Sequence, residues 1–162
     1  MPYLMKVYVD GACRGNGQHG ARGAAAAVHK QRYNSRHYSE LLPNQPRPTN
    51  QRAELRAIIM ALELAQRRYE SLSGYPKLKL RIFSDSKYAI NCMTEWQLKW
   101  RDNGWINAAG LEVVNRDLIE QACDLEDDLV QGCNASIKYR WIPREDNAAA
   151  DQLCNQALDD SE

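Results

Sequence analysis

Seventeen consecutive residues, Arg52 to Arg68, contain neither glycine nor proline and are rich in Ala, Leu, Ile and Glu. Such a run predicts a helix, capped by Thr49 or Asn50 and continuing to about Tyr69, where Ser73-Gly74-Tyr75-Pro76 breaks it. A helix of this length must bury one side. Residues 54, 57, 58, 61 and 65 share a face and read Glu, Ala, Ile, Ala, Ala. The flanking chain alternates as strands do. Met5–Asp10, Ala24–His29 and Tyr33–Leu41 precede the helix, and Leu78–Phe83 and Ile137–Ile142 follow it. Gly11–Gly17 reads as a glycine-rich turn, and Pro43, Pro46 and Pro48 mark a loop. Further helices are predicted over Lys87–Met93, Arg116–Val130 and Asn147–Leu158, with a tryptophan-rich segment from Trp96 to Trp105. Three strands, helix, strand, helices, strand, helix describe an α/β domain with helices packed on a mixed sheet.

The 162 residues suit one domain spanning 1–162. No apolar run approaches the roughly eighteen residues of a membrane span, and Met1-Pro2-Tyr3-Leu4-Met5-Lys6 does not resemble a signal peptide. An intracellular protein with no membrane association is therefore expected. The five cysteines are odd in number and none pairs as CxxC, which argues against a disulfide framework or structural zinc. The formal net charge is zero but unevenly spread. Residues 1–60 carry nine Lys/Arg against three Asp/Glu, whereas residues 145–162 carry six acids and no Lys/Arg. A basic first segment suits an anionic partner; an acidic end is equally an ordinary solvated one.

Four acids occupy unusual places. Asp10 and Asp85 each follow a mostly apolar strand, where α/β sheets place ligand sites. Glu54 starts the apolar stripe of its helix, and Asp151 borders the apolar side of the last. Singly, each has an ordinary reading. Asp10 suits a turn, Glu54 a helix dipole, Asp85 an N-cap, and Asp151 an acidic tail. Together they belong to elements that should meet at one sheet edge. Crowded carboxylates do not all stay ionised without a cation. Oxygen-only donors suit magnesium or manganese, and paired ions serve phosphoryl displacement.

The motifs around these acids resemble those of type 1 ribonuclease H, which cuts the RNA strand of RNA–DNA hybrids. They are Val9-Asp10-Gly11-Ala12-Cys13 with Asn16, Thr49-Asn50-Gln51-Arg52-Ala53-Glu54-Leu55, and Ser84-Asp85-Ser86-Lys87-Tyr88. Trp96, Trp100, Gly104-Trp105 and Asn115 follow, then Asn147 through Asp151 with Leu153 and Asn155. The resemblance implies an RNase H-like fold, a five-stranded mixed sheet of order 3-2-1-4-5 flanked by helices. It implies that Asp10, Glu54, Asp85 and Asp151 are catalytic and hold two Mg2+ ions, with Mn2+ able to substitute. It assigns Gly11, Cys13, Asn16, Asn50 and Gln51 to the hybrid's minor groove and its 2′-hydroxyls. It assigns Thr49 and Arg52 to DNA-strand phosphates, and Lys87, Trp96, Trp105 and Asn115 to further substrate contacts. The expected partner is an RNA–DNA hybrid, bound by a monomer and cut to 5′-phosphate and 3′-hydroxyl ends.

The 2′-hydroxyl distinguishes RNA and lies exposed in a wide minor groove, which the small residues and amides of these segments can approach closely. Core packing competes as a role for Trp96 and Trp100, and less so for Trp105. Two departures stand out. Many relatives carry a histidine before the last helix, but Trp141–Asn147 has none, leaving Arg144 and Glu145 as candidates for its auxiliary role. The tryptophan-bearing handle, often basic in the family, is net −1 over residues 94–118. Electrostatic grip is then expected from the first segment, including Arg14 and Arg52. Two alternatives are a retroelement-derived RNase H domain and a non-catalytic hybrid-binding module.

Overall fold

The computed structural model describes residues 1–162. The strands are β1 (Tyr3–Arg14), β2 (Arg22–Lys30), β3 (Ser35–Leu41), β4 (Leu78–Ser84) and β5 (Ser136–Trp141). The helices are α1 (Asn50–Glu70), α2 (Lys87–Asn91), α3 (Gln97–Asn103), α4 (Arg116–Gly132) and α5 (Ala148–Asp160). The sheet runs β3-β2-β1-β4-β5, as expected. β1 is antiparallel to β2, and β2 to β3. β4 is parallel to β1, and β5 to β4.

Alternation along β1 and β4 turns Met5, Val7, Val9, Leu78, Leu80 and Ile82 to one side, where they are buried. There they join the apolar side of α1, including Leu55, Ile58, Ile59 and Leu62, and Ile119 and Leu129 of α4. α5 packs across β1, β2 and β3. Its Cys154 and Leu158 meet Ala24 and Ala26, small residues that let the helix lie close.

Three expectations need correction. First, Gly11–Arg14 is not part of a turn. β1 runs on to Arg14, paired with β2 down to Arg14–Arg22, and the reversal occupies Gly15–Gly20, with Gly15, Gly17 and Gly20 at positive φ. Asp10 therefore lies inside a strand. What ends beside it is the neighbouring ladder, because β1 and β4 stop pairing at Val9–Ser84. Second, the tryptophan segment continues α2. One wide π-helical turn (Cys92–Trp96) joins α2 to α3, and Gly104, at φ 79°, ends the rod. Third, Trp105 is the most buried tryptophan at 8% exposure, while Trp96 and Trp100 are half-buried. Its own φ of 65° turns the chain after Gly104, and its ring packs with the core while Arg116 lies 5.7 Å from the ring centre.

Candidate active site

Asp10 and Asp85 stand at the residue after the last β1–β4 pair, where the two strands part. Asp10 is buried at 4% exposure. Glu54 comes from α1, which approaches β1 unusually closely at Gly11. A Cβ there would lie 2.3 Å from the Ala53 carbonyl carbon and 2.4 Å from the Glu54 nitrogen. Gly11 is thus a contact between strand and helix, and it brings the backbones carrying Asp10 and Glu54 together. Carboxylate oxygens of Asp10, Glu54 and Asp85 fall within 4.8 Å of one another.

The first turn of α5 brings Asp151 to the same cleft, outside that tight group and 3.7 Å from the Arg144 guanidinium. The cleft encloses about 570 Å³, with Asn50, Trp141 and Asn155 among its walls.

Electrostatics follow from the crowding. Burial, then the charges of Asp85 and Asp151, push Asp10 up to about 7. Burial, then Asp10 and Asp85, holds Glu54 well above the usual carboxylate range. Burial also raises Asp85, opposed by the Asn147 amide and Arg144. Glu54 Oε2 is buried with no hydrogen-bond partner. An orphaned carboxylate oxygen beside two others is a donor set for a hard divalent cation, so these residues fit a bound magnesium or manganese.

Several expected substrate-contact residues have structural partners. Thr49 caps α1 by accepting from the Arg52 N–H. Asn16 Oδ1 accepts from the Asn50 N–H at 2.8 Å, tying the β1–β2 reversal to that helix start. Asn115, at φ 65°, donates to the Tyr88 hydroxyl at 3.0 Å and to Gln51 at 3.4 Å. Arg52 joins this cluster but is neutralised by Asp117. Cys13 is half-buried on β1. The Lys87 ammonium lies 5.0 Å from the ring centre of Trp141, and Trp96 sits between Tyr88 and Trp100. Glu145 is exposed on the short turn before α5. Arg14 is held by Asp159 and Glu162.

Two residues had no role in the sequence reading. Buried Asn147 donates to the Val9 carbonyl at 2.8 Å, fastening the start of α5 to β1 beside Asp10. Trp141 ends β5 opposite Ser84 and donates from Nε1 to the Asp85 carbonyl at 3.1 Å. Only the strand register could have revealed the latter.

A mixed sheet whose parting strands carry clustered carboxylates, completed by acids from two helices, defines the metal-dependent nuclease class of site. The RNase H family profile matches residues 3–159, and the chain belongs to that family of metal-dependent nucleases. It is 34% identical over 155 residues to a ribonuclease H of Francisella tularensis subsp. novicida (strain U112), covering 93% of this chain and 88% of the relative. It is 32% identical over 158 residues to one of Pelobacter propionicus, covering 95% and 84%. Among solved structures it resembles LC11-RNase H1, isolated from compost by a metagenomic approach, with TM-score 0.70, 24% identity and coverage of 98% and 97%. The same relative in complex with an RNA/DNA hybrid aligns with TM-score 0.68 at 23% identity, covering 97% and 98%.

Proposed function

We propose that the chain hydrolyses the RNA strand of RNA–DNA hybrids with two divalent metal ions, leaving 5′-phosphate and 3′-hydroxyl ends. The observation that carries this is the meeting of Asp10, Glu54 and Asp85 within 4.8 Å, with one Glu54 oxygen buried and unpartnered. When bound there, the ions would activate a water and neutralise the leaving oxygen. Asp10, central among the acids, would hold the ions together with Glu54 and Asp85 on one side and Asp151 on the other. Arg144, beside Asp151, sets the charge on that second side. No serine or cysteine nucleophile is required.

Recognition of the hybrid rests on Asn50, Cys13 and the backbone around Gly11, which border the cleft, with Gln51 and Asn16 beside them. Asparagine and glutamine amides can both donate to and accept from a 2′-hydroxyl. The hybrid complex of LC11-RNase H1 supports that substrate class. A non-catalytic binding module would have no use for an acid cluster held at such electrostatic cost.

The test is cleavage of labelled RNA–DNA hybrid, duplex DNA and duplex RNA, each with magnesium and with EDTA. Magnesium-dependent cutting of the RNA strand of the hybrid alone is expected. Cutting of either pure duplex at the same rate, or cutting in EDTA, overturns the proposal.

A further inference from the structure

The side of the sheet that carries Asp10 and α5 also carries a row of cations. Lys6, Lys30, Arg81 and Lys138 are directly opposed across four neighbouring strands: Lys30 faces Lys6, Lys6 faces Arg81, and Arg81 faces Lys138. Pleating turns them away from the core side that holds Met5, Val7, Leu80 and Ile82. Lys79 and Arg140 occupy the adjoining rows on the same side. None of these six cations has a carboxylate partner. One Arg81 nitrogen is buried with no acceptor, and the Lys30 ammonium turns to the Tyr8 ring, 5.4 Å from its centre. Asp146 borders the patch near Lys30 without pairing to it.

Like charges directly opposite in a sheet are destabilising, and this arrangement sets four in a row in a chain of zero net charge. The row spans about 14 Å at the usual strand spacing. α5 packs on β1, β2 and β3, where its contact cluster joins Ala24 and Ala26, while Lys6, Lys30 and Lys138 stay exposed. The face is continuous with the cleft, because Lys6, Tyr8 and Asp10 alternate along one side of β1, with Lys6 about 13 Å from Asp10 at strand rise.

We propose that this face is a second nucleic-acid site, which binds the phosphate backbone of a single strand. Charge complementarity selects a polyanion. A linear row calls for a linear, flexible one that can lie along it, and exposed Arg140 offers a planar fork suited to phosphate. The cleft at its end belongs to a nuclease, which favours a nucleic-acid strand over an acidic protein segment. Two apolar rings, Tyr8 and Phe83, stack on each other at 4.6 Å in the next row. They therefore wall the row rather than offering a free face to a base. The site does not depend on the metal reading, since no acid ligand takes part.

The experiment measures binding of a fluorescent oligothymidylate to the full chain in EDTA across a salt series. The variants are the triple Lys6→Gln/Lys30→Gln/Lys138→Gln and a control, Arg67→Gln, on α1. About four phosphate contacts to a single strand, from Lys6, Lys30, Lys138 and Arg140, predict a wild-type log–log salt slope of roughly −3. The triple variant should bind about tenfold or more weakly with a slope shallower by about two. Arg67→Gln should match wild type, and cleavage of a short blunt hybrid should be unchanged in the triple variant. Equal strand binding by wild type and triple variant overturns the site. Displacement of the strand by polyglutamate at matched charge assigns the face to acidic protein and overturns the nucleic-acid proposal, as does equal loss of blunt duplex binding for the single-strand assignment. Thermal midpoints at or above wild type establish that the triple variant folds.

Discussion

The Arg52 guanidinium lies fork-to-fork on the Asp117 carboxylate, with bonds of 3.0 and 2.7 Å, and also reaches Asn115 at 3.3 Å. Only 12% of the Arg52 side chain is exposed. An arginine expected to grip phosphate is therefore already charge-neutralised at the junction of α1 and α4, and Arg14 is similarly held by Asp159 and Glu162.

Asp117→Asn should free Arg52 for phosphate. Hybrid binding in calcium, expected to occupy the proposed metal site without supporting turnover, should tighten a few-fold. Its salt slope should steepen by about one unit, as for one gained contact. A slope that is unchanged or shallower would show that Arg52 acts only as the brace between the two helices.

Asp10→Asn should lower magnesium-dependent cleavage by about 10³-fold or more, a loss of roughly 4 kcal/mol of transition-state stabilisation. The variant should still fold. In EDTA at neutral pH its thermal midpoint should exceed wild type, because one repelling carboxylate is gone. Near-normal turnover would remove Asp10 from the chemistry.

In EDTA, stability should fall as pH rises from about 4 to about 7. The sign follows from Asp10, whose folded form is raised from 3.8 to about 7. Between those values the folded chain holds a proton that the unfolded chain has released, so each step upward favours unfolding. The loss from this group is on the order of 3 kcal/mol, and Glu54, also raised, adds to it in the same direction. Magnesium should remove most of the slope, since it replaces the proton as the neutralising charge. Midpoints measured over this pH range with and without magnesium decide it; parallel curves would mean no ion binds among these acids.

A hybrid whose RNA strand contains a short deoxyribonucleotide stretch should not be cut inside it, if the amides of Asn50 and Gln51 read 2′-hydroxyls. Mapping the cut sites on such a chimera is sufficient. Efficient cuts flanked by deoxyribose on both sides would assign these residues to the structural bonding they make around Asn16 and Asn115.

Much of the scaffold was legible in the chain. The helix from Asn50 and all five strands lie within a few residues of their sequence limits, because alternation and helical periodicity are local signals. Of the four acids singled out from their motifs, Asp10, Glu54 and Asp85 meet, and Asp151 stands outside that group. What the sequence hid was pairwise. That β1 runs four residues past Asp10 depends on β2 continuing to pair after β4 has stopped. The burial of Trp105 depends on where Gly104 turns the chain. The neutralisation of Arg52 requires Asp117, 65 positions away. The row of cations likewise exists only once four strands are in register.

Gly11 acts as a gauge block for the acid cluster. The distance from β1 to α1 is set by an absent methyl, since any Cβ at that position would overlap the Ala53–Glu54 peptide. The two backbones that carry Asp10 and Glu54 therefore have no slack between them. A chain with even alanine at 11 would have to move strand and helix apart by a fraction of a bond length or more. That strain would fall on the carboxylate spacing before it reached the apolar core. Position 11 is thus where drift in sequence would separate retention of the fold from retention of the carboxylate spacing. A descendant could keep every acid and still lose the arrangement proposed to hold metal.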